Sequence, residues 1–195
     1  MPIQKALPRE VRIIGGQWKR TRLPVLDKPG LRPTPDRVRE TLFNWLGQDL
    51  AGWRCIDAFA GSGALGLEAA SRGAASVLLV EQDPALVSQL RALLVKLSAH
   101  AVTVQRANGV SILKQQAGAS VDLVFLDPPF DAKLHDTALK AASAAVSVEG
   151  WIYLEAPDAW DSARLAPYGL ALHKHLKAGA VHAHLIGRLE RLPGP

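Results

Sequence analysis

Asp57-Ala58-Phe59-Ala60-Gly61-Ser62-Gly63-Ala64-Leu65-Gly66 closes a short apolar run and opens a helical pattern. Gly61, Gly63 and Gly66 match the G-x-G-x-x-G spacing, in which glycine permits a tight turn and lets a ligand approach the backbone. An acid, Glu81, ends the next apolar run 20 positions after Gly61. At that register a carboxylate takes the hydroxyls of an adenosine ribose. A dinucleotide and S-adenosylmethionine both satisfy these features.

Working outward, strands are expected near 53–57, 76–81, 101–106, 121–127 and 150–155, with helices near 63–72, 84–98, 109–117 and 133–146. Short apolar strands separated by helices imply a parallel sheet covered on both faces. A hairpin, 168–177 and 180–189 around Ala178-Gly179, ends the pattern. The fold class is a doubly wound, Rossmann-like α/β sheet, mostly parallel, with a C-terminal antiparallel hairpin. Ahead of it, residues 11–25 read as a small β-hairpin broken at Gly15-Gly16. Lys28 to Pro35 is too proline-rich for a helix or an inner strand. A helix should follow, with Thr34 or Asp36 near its cap and Val38, Leu42, Phe43, Trp45 and Leu46 as its apolar stripe. This divides the chain into a basic extension, 1–35, and a main domain, 36–195.

The charge distribution supports that division. Residues 1–40 hold ten basic and four acidic side chains, a net of +6 against +5 for the whole 195-residue chain. The excess positive charge is local, as a polyanion contact would require. Apolar content of 48% suits a folded core, and no apolar run is long enough to span a bilayer. The lone Cys55 cannot form an internal disulfide and reads as a small core residue. A soluble, cytoplasmic monomer is expected.

The chemistry is concentrated in Asp127-Pro128-Pro129-Phe130, at the end of the apolar run Val121 to Leu126. Two prolines fix their own φ angles and hold the preceding residue extended. A carboxylate, a rigid carbonyl and an aromatic ring are thereby presented together at the sheet edge. That set grips a planar amine such as a nucleobase, with two acceptors for the NH2 group and a ring for stacking. Hydride transfer has no use for it. Asp57 also favours S-adenosylmethionine, since it would meet that ligand's positively charged amino-acid end and would repel a pyrophosphate.

With these residues in view, the chain resembles the RsmD family, bacterial 16S rRNA guanine-N2 methyltransferases of the class I S-adenosylmethionine-dependent kind. The matching segments are Arg12 to Trp18, Gly30 to Thr34, Asp36 to Leu46, Asp57 to Glu68 and Asp127 to Phe130. The Arg-Pro-Thr segment leading into Asp36-Arg37-Val38-Arg39-Glu40 is specific to the family. The resemblance implies methylation of the guanine at position 966 of 16S rRNA, within the small ribosomal subunit, with S-adenosylhomocysteine as product. It implies a cofactor site at Asp57, Phe59, Gly61, Gly63, Glu81 and Asn108, and a catalytic tetrapeptide at Asp127, Pro128, Pro129 and Phe130. Asn108 would meet the adenine amine, or else cap the following helix. Arg12, Trp18, Lys19, Arg20 and Arg22 would hold RNA, with Trp18 either stacking on a base or packing on the sheet. Arg32, Thr34 and Arg37 would close over cofactor or base. If Ala178-Gly179 is the turn, His175 faces His182 and His173 faces His184. Four imidazoles would then share a sheet face, read as a polar surface near RNA with no metal.

Overall fold

The computed structural model describes residues 10–28, 31, 33–116, 118, 120–129 and 132–191. A small antiparallel sheet comes first, β1 (Glu10–Arg12) with β2 (Arg22–Pro24), followed by α1 (Asp36–Trp45). The main unit then alternates: β3 (Arg54–Asp57), α2 (Ala64–Ser71), β4 (Ser76–Glu81), α3 (Pro84–Leu97), β5 (Val102–Arg106), α4 (Gly109–Gln115), β6 (Val121–Leu126) and α5 (Ala132–Ala145). It ends with β7 (Val146–Ala156), a short α6 (Ser162–Leu165), β8 (Leu170–Ala178) and β9 (Val181–Arg188). The seven-stranded sheet has the order β5-β4-β3-β6-β7-β9-β8. Its first five strands run parallel and the last pair forms the expected antiparallel hairpin.

The order reverses between β3 and β6, so both lead their carboxyl ends into one crevice, the ligand position of doubly wound sheets. One face of the sheet packs against α1, α2, α3 and the N-terminal sheet, through Val11, Leu23, Phe43, Leu67, Leu90 and Phe125. The other packs against α4 and α5 through Val80, Leu113, Val124, Leu139 and Ile152. Among the described residues, no helix is long and apolar enough to cross a membrane.

Three details depart from the sequence reading. Pro35 occupies the cap of α1 and no side chain caps it; the Thr34 hydroxyl is used elsewhere. Strand β7 starts earlier than expected, directly after α5, and carries a bulge opposite Val121 to Leu123. At Gly150 a Cβ would lie 2.9 Å from the Val121 carbonyl oxygen, so the bulge needs glycine there. In the terminal hairpin Ala178 pairs with Val181, which makes Gly179-Ala180 the loop. Gly179 takes a φ of +63°, so the glycine opens the loop and does not close it. His175 therefore faces His184, and Lys177 faces His182.

Candidate active site

The glycine loop is held from both sides. Gly63 caps α2 with a φ of +78°, and its N–H donates to the Ala60 carbonyl at 2.7 Å. Glu81 Oε2 accepts the Gly61 N–H at 2.9 Å, while Oε1 accepts the N–H groups of Gln82 and Asp83. The predicted ribose acid is thus fixed by backbone donors next to the loop. Asp57, on β3, is 1% exposed and accepts the Gly66 N–H at 3.1 Å through Oδ2. Its Oδ1 is buried and has no hydrogen-bond partner among the described residues. Burial pushes its pKa up to about 7, against the lowering effect of the backbone donors. Phe59 is half-buried against the α4–α5 core. Asn108 caps α4, its Oδ1 accepting the Ser111 N–H at 3.0 Å.

Asp127 follows β6 on the same edge. Leu126 pairs with Leu154 on β7, and Asp57 pairs with Phe125. Alternation along the strands then places Asp57, Asp127 and Glu155 on one face at neighbouring strand ends. Burial raises the Asp127 pKa well above the carboxylate range, and the nearby charges of Glu155 and Asp57 add to the effect. Pro128 is buried and Pro129 exposed; Phe130 lies outside the described residues. Glu155 was not singled out from sequence. It is 4% exposed, accepts the Tyr153 hydroxyl at 2.8 Å, and accepts the Thr34 hydroxyl at the same Oε1 atom.

The proline-rich segment crosses this edge as a strap. Lys28 pairs with Asp83, just beyond β4. A Cβ at Gly61 would lie 3.0 Å from Leu31 Cδ1, so Leu31 sits on the glycine loop. Thr34 then reaches Glu155 at the end of β7. Arg32 lies outside the described residues, and Arg37 is exposed on α1.

Of the predicted RNA contacts, Lys19 and Arg20 are exposed, Arg20 at a φ of +73°. Arg12 pairs with Asp36 at 3.1 Å and Arg22 with Glu10 at 3.2 Å, both at the surface. Trp18 is half-buried and packs against the core. The anchor of this region escaped the sequence reading. Glu68, fully buried on α2, accepts the N–H groups of Ile14 and Gly15 at 2.8 Å each and pairs with Arg39 and Arg72. The available signal was an acid in the otherwise apolar helix ALGLEAAS, since a buried charge requires partners.

Three imidazoles cluster near the hairpin loop, with His175, His182 and His184 nitrogens within 4.8 Å of one another. His173 instead lies against the Trp151 ring at 4.8 Å. His184 has both nitrogens engaged: Nδ1–H donates to the Leu154 carbonyl and Nε2 accepts the Trp160 N–H. Burial pushes its pKa down to about 4, which keeps it neutral. His175 and His182 hydrogen-bond to each other at 2.8 Å. Cys55 is buried and its thiol pKa is pushed up to about 12, so it is inert packing.

A family model described as conserved hypothetical protein 95 matches residues 11–187. Ribosomal RNA small subunit methyltransferase D of Escherichia coli K12 is 44% identical over 181 residues, covering 92% of this chain and 90% of the relative. The chain belongs to the RsmD family. The Haemophilus influenzae relative of the same name is 47% identical over 67% of this chain and 69% of its own. Among solved structures, Escherichia coli yhhF, described as a methyltransferase, superimposes with a TM-score of 0.79 at 39% identity, covering 92% and 98% of the two chains. Thermus thermophilus TTHA0928 does so with a TM-score of 0.75 at 30% identity, covering 91% and 99%. As an RsmD-family methyltransferase, the protein belongs to enzymes that in general take their methyl group from S-adenosylmethionine. The buried, unpartnered Asp57 Oδ1 suits the positively charged amino-acid end of that molecule.

Proposed function

We propose that this protein transfers a methyl group from S-adenosylmethionine to the exocyclic N2 amine of a guanine in 16S rRNA, at position 966 by family resemblance, in the small ribosomal subunit. The observation that carries the reading is the position of Asp127: rigidly followed by Pro128, it shares one sheet edge with Asp57 and the glycine loop. Asp57, Phe59, Gly61, Gly63, Glu81 and Asn108 would hold the cofactor, which supplies a methyl group activated on a sulfonium. The lone pair of guanine N2 is delocalised into the ring, so the site must orient the nitrogen as well as bind it. The Asp127 carboxylate and the Pro128 carbonyl accept the two amine hydrogens and turn the lone pair toward the methyl group. Phe130 stacks on the base. As transfer proceeds the amine becomes acidic, and Asp127 takes its proton.

The target base leaves its stack or lies in a loop, as RNA bases read by proteins generally do. The extension, 1–35, is the RNA grip, with Lys19 and Arg20 as exposed cations that, among the described residues, carry no ion pair. Residues 36–195 carry the transfer chemistry, in the cytoplasm. The test is methyl transfer from labelled S-adenosylmethionine to small ribosomal subunits from cells lacking the cognate enzyme, beside naked 16S rRNA and duplex DNA. A single N2-methylguanosine in rRNA is expected, absent with Asp127→Ala, which should still bind S-adenosylmethionine. Label in adenine or DNA would overturn the substrate, and wild-type turnover by Asp127→Ala would overturn the mechanism.

A further inference from the structure

Glu155 is a buried acid that the transfer mechanism above does not use. It sits one position past the Leu126–Leu154 pair, on the face and at the strand end where Asp127 projects. Two hydroxyls, from Thr34 of the strap and Tyr153 of its own strand, converge on Oε1. His135 of α5 donates through Nε2 to the Glu155 carbonyl at 3.2 Å, fixing the backbone as well. Among the described residues no cation lies within ion-pair distance of Asp57, Asp127 or Glu155. Arg39 on α1, whose side chain also reaches the Thr34 carbonyl, is engaged with Glu68 and Asp36.

Two buried acids, Asp57 and Glu155, stand beside the half-buried Asp127, and their surroundings decide which of the three holds a proton. Hydroxyl donors favour the charged form of their acceptor, and two of them converge on Glu155, which offsets part of the burial that raises its pKa. We propose that Glu155 is a positioning residue for methyl transfer: its fixed charge, held by Thr34 and Tyr153, makes Asp127 the stronger base and so the group that takes the amine proton. Burial and then the Glu155 charge raise Asp127; burial also raises Glu155, while the Thr34 and Tyr153 hydroxyls, which Asp127 lacks, work to lower it. In the balanced step the N–CH3 bond forms and the S–CH3 bond breaks with its electron pair left on sulfur. The N–H proton passes to an Asp127 oxygen and from there to solvent. Asp57 faces the same pair from β3 and adds to the repulsion.

This inference rests on Asp127 as the amine acceptor. Its test is the pH–kcat profile of Glu155→Gln, which keeps an oxygen for Thr34 and Tyr153 but drops the charge. The acid limb, where Asp127 becomes protonated, should move to lower pH. The plateau should fall roughly tenfold, within the range general-base catalysis supplies, with the KM for ribosomal subunits unchanged. A limb that stays in place would overturn the proposal, as would an equal rise in KM alone. Should Glu155→Gln fail to fold, the pair Thr34→Val and Thr34→Ser decides: the valine should shift the limb and the serine restore it, and equal profiles would sink the idea. Wild-type methylation of a different base would overturn the substrate assignment alone, because the limb shift still tests Glu155 for that amine.

Discussion

Arg39 Nη1 and Glu68 Oε2 meet 3.2 Å apart in the interior, with neither side chain exposed. The pair joins α1 to α2, and through the Ile14 and Gly15 N–H groups it also ties down the N-terminal segment. Removing one partner of such a buried pair leaves the other charge uncompensated. Glu68→Ala should therefore destabilise the fold by roughly 3–5 kcal/mol. Thermal unfolding should show a fall in Tm of about 10 °C or more for a chain this size. A change within error would mean that water or other groups satisfy Arg39 and Arg72.

Asp57 makes stability depend on pH. Its folded pKa of about 7 stands above the ordinary 3.8. The fold therefore keeps a proton that the unfolded chain releases as pH rises from about 4 to about 7. Stability is greatest below that window, falls through it and is flat above, by an amount on the order of 4 kcal/mol. Asp57→Asn should raise the Tm of the ligand-free protein at pH 8 and leave it nearly unchanged at pH 4. Parallel Tm-against-pH curves for the two proteins would contradict this.

At Gly109 an added Cβ would sit 2.0 Å from the Ala58 carbonyl oxygen, a backbone atom with no flexible end to yield. Gly109→Ala should push the Asp57–Gly61 loop away from α4 and weaken S-adenosylmethionine binding more than it lowers Tm. Isothermal titration against the wild type measures this, and unchanged affinity would show that the loop tolerates the shift.

Lys19 and Arg20 are exposed, whereas Arg12 and Arg22 are already paired with acids. Lys19→Ala with Arg20→Ala should weaken rRNA binding and reduce the slope of log K against log salt by roughly one to two. Binding measured between low and moderate salt settles it; an unaltered slope would place the RNA grip elsewhere.

The alternating segments were legible because each is short, apolar and punctuated. β4 falls on its expected 76–81, and the glycine loop, Glu81 and Asp127 stand at the expected strand ends. Partnerships across the fold were not legible. Nothing in the sequence around Thr34 shows that its hydroxyl turns from the helix cap to an acid 121 positions away. Arg39 resembles a solvated helix charge until the helices are docked, and Glu68, though conspicuous in its largely apolar helix, does not name its partners. The histidine register failed for a local reason: one residue of difference in the loop slides every cross-strand neighbour. Trp18 packs half-buried against the core, a placement its neighbours in sequence do not reveal.

The strap and the N-terminal sheet have a consequence for how the molecule is made. Their partners, Glu68, Asp83 and Glu155, are all translated after them. The strap is thus fixed only after later elements are made, and closing the Thr34–Glu155 contact requires a long loop to be ordered first. A segment that finds its seat only when β7 is in place leaves the nascent chain with the edge of its site uncovered. The site is thereby closed over only once the sheet behind it exists.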